Sequence, residues 1–195
     1  MSNAVLPNKK ISRYKLILLF ALFALPFTFS YIAYHFWKPD GQGSNYGQLL
    51  PVRALPDIIG VSLEGKPFNL SQLKGKWVML QLDGGTCNAY CRTKQYDMRQ
   101  IRLAQGREQD RIERVWLVTD NQPVDAAVLN QYSGTWVVRV GANAVRQFAG
   151  NASPPEDAVY LIDPLGNLML RFPKNPDPRG MIKDIKQLLK ASQIG

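Results

Sequence analysis

Two cysteines, the only ones in the 195-residue chain, stand four positions apart at Cys87 and Cys91. They follow an apolar run over residues 77–82 and a turn that contains Gly84 and Gly85. A strand, a turn and then a helix would place both sulfurs at a helix N-terminus, where free N–H groups and the helix dipole favour a thiolate. The pattern therefore predicts redox or soft-metal chemistry.

A structural disulfide is the alternative interpretation of this pair. Residues four apart on a helix have Cα atoms about 6 Å apart, a separation that a disulfide can span. A bridge over so short a loop would stabilise the fold little, because the entropic gain grows with loop length. Redox or soft-metal chemistry is therefore the favoured interpretation of the cysteine pair, and a static structural disulfide is the alternative.

The N-terminal segment indicates the compartment in which these thiols lie. Residues 1–15 carry four basic side chains and no acid, and residues 16–37 form 22 positions without Asp, Glu, Lys or Arg. About 20 such residues cross a bilayer, and the basic flank is expected to stay cytoplasmic. A cleaved signal peptide is disfavoured, because the apolar stretch exceeds the length of a signal h-region. The sequence predicts a single-pass anchor in a bacterial inner membrane, with the C-terminal domain in the periplasm.

The net charge of the chain is +9, of which residues 1–38 contribute +5, so that +4 remains on the rest. A mildly basic domain beside a membrane suits an anionic lipid surface or an acidic partner. The sequence shows no stripe of interleaved basic and aromatic residues, so nucleic acid is not an expected partner.

Beyond the anchor, Gly, Ser and Pro residues predict a flexible stalk over residues 38–57. Residues 58–195 are long enough for one domain with its own core. Its patterns predict a hairpin (58–70), a strand (77–82), the cysteine helix (to about 105), a strand (115–118), a helix (124–132), a strand (135–140), a hairpin (158–172) and a helix (179–192). This order is α/β and thioredoxin-like, with an N-terminal β-hairpin extension, preceded by one transmembrane helix.

Three segments carry a resemblance to a known family. They are Asp57-Ile58-Ile59-Gly60 with Glu64-Gly65-Lys66-Pro67-Phe68-Asn69-Leu70, then Thr86-Cys87-x3-Cys91, and Val159-Tyr160-Leu161-Ile162-Asp163-Pro164-x-Gly166. Together they resemble the Sco/SenC family of cytochrome c oxidase assembly proteins. The resemblance implies a membrane-anchored, thioredoxin-like protein that binds copper through the cysteine pair and a distant histidine, and that helps metallate or reduce the oxidase copper site.

The histidine of that copper site has no counterpart here. Residues 39–195 contain no histidine, and His35 lies in the predicted anchor. Two thiolates alone can hold Cu(I), a soft ion, and a methionine such as Met98 or Met169 could assist. Cu(I) is therefore a candidate cofactor rather than a required one, with Cys87 and Cys91 as its ligands.

Thiol–disulfide exchange needs only an accessible thiolate and a second sulfur. Cys87, nearer the helix start, is predicted to attack, and Cys91 to resolve the mixed disulfide. Asp83 is a candidate for moving a proton to or from the pair, with a cap or turn residue as the alternative.

We expect a function in oxidase copper-centre assembly by thiol–disulfide exchange, with an oxidase subunit as the partner. A Cu(I) chaperone and a non-enzymatic scaffold with a static disulfide are the alternatives. Exchange requires that the paired sulfurs be presented to solvent.

Overall fold

The computed structural model describes residues 9–36, 45–149 and 155–194. The chain divides into two units, Met1–Ser44 and Asn45–Gly195. The first contains helix α1 (Lys9–Phe36). Its stretch Arg13–Phe36 is, within the described ranges, the one helix long and apolar enough to cross a membrane. Its 24 residues exceed the roughly 20 that a bilayer requires, which supports a single-pass anchor.

The described residues of the second unit form a mixed sheet with helices packed on it. The strands are β1 (Gln48–Ala54), β2 (Ile59–Ser62), β3 (Pro67–Asn69), β4 (Trp77–Asp83), β5 (Ile112–Val118), β6 (Thr135–Val140), β7 (Val159–Ile162) and β8 (Asn167–Phe172). The helices are α2 (Ala89–Ala104), α3 (Ala126–Gln131), α4 (Ala142–Ala149) and α5 (Pro178–Ala191), with short 3₁₀ helices at Leu70–Leu73, Gly106–Arg111 and Pro155–Asp157.

The strands lie in the order β1-β8-β7-β4-β5-β6-β2-β3. β4, β5 and β6 are parallel and are joined through helices, as a βαβ connection requires. The remaining neighbours pair antiparallel, including the β2–β3 and β7–β8 hairpins. The predicted thioredoxin-like fold with an N-terminal hairpin extension is confirmed. Residues 142–149, between the predicted strand 135–140 and the predicted hairpin 158–172, form α4.

Strand β4 lies inside the sheet, and all seven of its residues are buried. Because successive side chains of a strand point to opposite faces, Leu80 and Leu82 join one core cluster and Met79 joins another. Gln81 and Asp83 share the face of Met79, where α2 packs. Two polar side chains are thus placed beneath the cysteine helix.

The flexible stalk predicted over residues 38–57 is corrected in its second half. Residues 37–44 lie outside the described residues, but Gln48–Ala54 is strand β1, which pairs antiparallel with β8. The buried carboxylate of Asp184 in α5 accepts the N–H groups of Tyr46 at 3.0 Å and Gly47 at 2.7 Å. Ladder bonds and this charge-assisted anchor offset the ordering entropy of this proline-containing segment.

Candidate functional site

The two cysteines form a disulfide where β4 passes into α2. Their Cα atoms are 5.1 Å apart, within the range that a disulfide spans. Cys87 has a φ of 45°, a left-handed conformation that turns the chain before the helix begins. Asn88 is the N-cap of α2, and its side-chain oxygen accepts the N–H of Cys91 at 2.9 Å. Cys91 therefore lies in the first turn of α2, and Cys87 lies just before the helix.

Both cysteines are buried in this oxidised form. Cys87 is 2% exposed and Cys91 is 0% exposed. They pack in one apolar cluster with side chains of β5 and α3, namely Trp116, Val118, Val128 and Tyr132. The expectation that the pair is presented to solvent is therefore wrong for the disulfide form, because a partner thiol has no open approach to either sulfur.

The segment between β5 and α3, residues 119–125, contacts the turn that precedes the cysteines, and we call it the cover loop. The N–H of Gly85 donates to the Asp120 carboxylate at 2.8 Å. A Cβ at Gly85 would collide with the backbone oxygen of Gln122. Glycine is thus needed at this turn so that the two backbones can approach each other.

Arg92 joins the cover loop to the cysteine turn. Its Nε donates to the backbone oxygen of Cys87 at 3.1 Å, and its Nη2 pairs with the Asp125 carboxylate at 2.7 Å. Asp125 is also the N-cap of α3, where its other oxygen accepts the N–H of Ala127 at 2.9 Å. One arginine therefore couples the turn at Cys87 to the start of α3.

A chain of polar side chains leads away from the disulfide into the protein. The Gln81 amide nitrogen donates to the Cys91 sulfur at 3.4 Å and to the Asp83 carboxylate at 2.9 Å. The same Asp83 oxygen pairs with the Lys94 ammonium at 2.8 Å. Lys94 also donates to the backbone oxygen of Glu156 at 2.5 Å. The Cys91 sulfur is thus connected to a buried carboxylate and a buried ammonium through one amide.

Burial governs the protonation of this ion pair. It raises the pKa of Asp83 to about 6, although the Lys94 ammonium acts in the opposite direction. It also lowers the pKa of Lys94, against the raising effect of Asp83. Both groups are shifted toward their neutral forms, because removal from water disfavours each charge. A carboxyl that titrates near neutral pH can both accept and donate a proton.

The sequence interpretation missed Gln81 and the burial of Lys94. Gln81 interrupts an otherwise apolar strand two residues before Asp83, which is the spacing of one strand face. Lys94 is three residues after Cys91, which is the spacing of one helix face. Both signals were present in the sequence, but only the packing of α2 on β4 shows that they meet.

The residues present do not fit a complete copper site. The described residues contain no group of three or more His, Cys, Asp and Glu side chains arranged for a metal ion. Met98 is fully buried and packs in the core cluster between α2 and α5, separate from the cluster around the disulfide, and Met169 packs at the margin of that same core. Two sulfurs are therefore the whole soft donor set that the site supplies, and neither methionine completes it.

Fold and site together define a thioredoxin-like α/β protein with a disulfide at the start of the helix that follows the central strand. The family model described as "Transmembrane-like, thioredoxin-like, C-terminal domain" matches residues 77–192, more than half of the chain. The chain belongs to this family.

Solved structures of both exchange proteins and Sco proteins share the fold. A thiol:disulfide interchange protein from Chlorobium tepidum TLS is 21% identical, with a TM-score of 0.57 over 72% of this chain and 98% of that one. Yeast Sco1 is 15% identical, with a TM-score of 0.59 over 71% and 96%. ScoI of Bradyrhizobium japonicum, with copper bound, is 17% identical, with a TM-score of 0.50 over 69% and 99%. No curated protein matches the chain. At these identities the similarities show the fold alone.

Proposed function

We propose that this protein is a membrane-anchored thiol–disulfide exchange protein whose redox pair is Cys87 and Cys91. The contact of the Gln81 amide with the Cys91 sulfur carries the proposal, because it links the disulfide to the buried Asp83. A bridge that served only as a staple would need neither the donor nor the buried carboxyl. The family and the fold, which oxidoreductases share, support the same conclusion.

The proposed reaction starts from the reduced pair. The Cys87 thiolate attacks one sulfur of a partner disulfide, forms a mixed disulfide and releases the first partner thiolate. Cys91 then loses its proton and attacks the Cys87 sulfur, which re-forms the Cys87–Cys91 bond and releases the second partner thiolate. Asp83 accepts the proton of Cys91, and the partner thiolates take up protons from solvent. The protein is oxidised by two electrons and the partner is reduced.

Opening of the cover loop belongs to this cycle. With Cys87 only 2% exposed, a partner sulfur cannot align with it until residues 119–125 move away. The loop is held to the cysteine turn by Arg92 with Asp125 and by Gly85 with Asp120, and to β6 by Arg139, which donates to the backbone oxygens of Asp120 and Gln122. Such contacts break at modest cost when they are exposed to water.

The site is proposed to face the periplasm. The basic residues in the first turns of α1 favour a cytoplasmic N-terminus, which would leave the second unit on the opposite side. A disulfide persists in an oxidising compartment and is rare in the cytosol. The proposed partner is a cytochrome c oxidase subunit whose copper-site cysteines must be reduced before the metal enters. Support for this partner comes from the Sco/SenC resemblance of the sequence and from the shared fold.

The test uses the full chain in detergent micelles with a glutathione redox buffer. We expect the pair to titrate as a single two-electron couple, and Cys91→Ser to trap a mixed disulfide with a thiol partner through Cys87. Cys87→Ser is the matched control and should trap none. Failure of the pair to reduce in excess dithiothreitol, or equal trapping by both variants, would exclude the mechanism.

A scaffold with a static disulfide is the second candidate function. The observation that favours it is burial, at 2% for Cys87 and 0% for Cys91. In that case both serine variants would bind the oxidase subunit as well as the unmodified chain does, and neither would form a mixed disulfide.

A further inference from the structure

A cavity of about 150 Å³ lies beside the disulfide cluster, between α2, α3 and the start of β6. Its walls include Trp116, Val128, Tyr132 and Val137, with the polar residues Gln95 and Thr135. Ser133 and Gly134 form an exposed edge through which a ligand can enter. A cavity of roughly this volume has room for a molecule the size of benzene.

Gln95 gives the cavity a polar end. The residue is 0% exposed, and its amide nitrogen has no hydrogen-bond partner among the described residues. The amide oxygen is already engaged, because it accepts the Thr135 hydroxyl at 3.5 Å. An unpaired buried donor costs about 1–3 kcal/mol, so a ligand that offers an acceptor oxygen there gains affinity.

Arg114 adds positive charge behind the Ser133–Gly134 edge of the same cavity. It is 4% exposed, and its Nη2 donates to the backbone oxygen of Ser133 at 2.7 Å. A Cβ at Gly134 would lie 3.4 Å from this Nη2, which places the guanidinium against the cavity edge. Its Nε and Nη1 have no partner in the described part of the chain.

The electrostatic setting of Arg114 favours an anion. Burial, followed by the nearby Arg102 and Arg99, lowers the pKa of this guanidinium, and Glu113 acts in the opposite direction without forming an ion pair within 4 Å. A buried cation without a paired acid is unfavourable unless a negative charge approaches it.

We propose that this cavity binds a small monocarboxylic acid with an aromatic or branched apolar body. The carboxylate would accept from the Gln95 amide nitrogen near the Arg114 guanidinium, and the apolar body would fill the space between Trp116, Val128 and Val137. The inference goes beyond the proposed exchange activity and does not depend on it, since binding can be measured whatever the thiols do.

The experiment titrates the full ¹⁵N-labelled chain in micelles with sodium benzoate and follows amide shifts. We expect saturable shifts at the Gln95 side-chain amide and at the Ser133–Thr135 backbone. Acetate lacks the apolar body and benzamide lacks the charge, so each should bind at least about tenfold more weakly than benzoate.

Three variants separate the contributions. Gln95→Leu removes the donor and should weaken benzoate binding at least about tenfold. Gln100→Leu, on the same helix and not part of the cavity wall, should leave binding unchanged. Arg114→Met, which replaces an unpaired buried cation with an apolar side chain, should abolish the preference for benzoate over benzamide.

Three outcomes would overturn the inference. The first is the absence of saturable shifts with benzoate, which would mean that the cavity holds water only. The second is equal binding of benzamide and benzoate. The third is undiminished binding of benzoate to a folded Gln95→Leu chain. None of them bears on thiol–disulfide exchange, whose trapping experiment is read separately.

Discussion

Gln81 uses a single amide nitrogen to reach two acceptors, the Cys91 sulfur and the Asp83 carboxylate. A hydrogen bond to a charged acceptor is stronger than one to a neutral acceptor. After reduction this donor is expected to stabilise the Cys91 thiolate over the thiol. Gln81 is therefore a positioning residue for the resolving sulfur.

Replacing Gln81 with leucine tests this role. In Gln81→Leu we expect the reduced Cys91 to be alkylated by iodoacetamide about tenfold more slowly at pH 7, because a charge-assisted hydrogen bond is lost. The measurement is made in the Cys87→Ser background, so that Cys91 is the one thiol that iodoacetamide can alkylate. Gln100→Leu in the same background is the control, and equal alkylation rates in the two variants would contradict the role.

Asp83 makes the stability of the domain depend on pH. Folded Asp83 keeps its proton up to about pH 6, whereas the ordinary value in the unfolded chain is 3.8. The folded state therefore binds more protons between these values, and the free energy of unfolding falls as the pH rises through this window. The expected decrease is about 2 to 3 kcal/mol between pH 4 and pH 6.5.

Urea unfolding of the full chain in micelles at several pH values measures this slope. Asp83→Asn should flatten it, because the amide binds no proton in this pH range. Asp110→Asn, at an exposed acid, is the control and should keep the slope. A slope unchanged in Asp83→Asn would assign the effect to another group.

At the scale of elements, we expect the cover loop to limit how fast the disulfide is reduced. Arg92 is one of its links to the cysteine turn, through the Cys87 backbone oxygen and the Asp125 carboxylate. An exposed ion pair and one neutral hydrogen bond contribute about 1 kcal/mol together. In Arg92→Gln we therefore expect dithiothreitol to reduce the disulfide roughly three- to tenfold faster.

The comparison for this variant is Arg102→Gln, which removes an arginine from the same helix. Arg102 pairs with Asp110 at 3.1 Å, away from the cover loop. Reduction at the same rate in Arg92→Gln and the unmodified chain would mean that the loop does not limit access.

The element order was predictable because alternating and helical hydrophobic patterns are local properties of the chain. The central strand, the cysteine helix and both hairpins lie where these patterns indicate. The docking of β1 was not predictable, because it depends on the carboxylate of Asp184 in α5, which is more than 130 positions away in the sequence. Long-range polar contacts leave little trace in a local pattern.

The candidate site, too, could be predicted from the sequence only in part. The cysteine pair and Asp83 could be named from their spacing, which follows from the strand, the turn and the helix. Their burial could not, because it depends on where the cover loop and α3 lie. Gln81 is an intermediate case. The sequence shows one amide in an otherwise apolar strand, but it does not show which residues that amide contacts.

At the scale of the whole molecule, the proposed orientation rests on the basic N-terminus. We expect alkaline phosphatase fused to the C-terminus to be active in a bacterial host, because that enzyme needs periplasmic disulfide formation. Replacing Lys9, Lys10, Arg13 and Lys15 with glutamine should lower this activity several-fold, since the charge bias that sets topology is removed.

The control for orientation replaces three basic residues of α5, Lys183, Lys186 and Lys190, with glutamine. These lie beyond the short flanking region that sets orientation, so activity should not change. Loss of activity in both variants, or in neither, would contradict the topology.

The sheet is completed by segments from opposite ends of the second unit. Gln48 of β1 lies opposite Arg171 of β8, and the α5 carboxylate of Asp184 holds the two residues before β1. During synthesis the first of these segments emerges more than a hundred residues ahead of its partners. The domain therefore cannot complete its fold until nearly the last helix has been synthesised, and until then the early strand stays unpaired and open to chaperones and proteases.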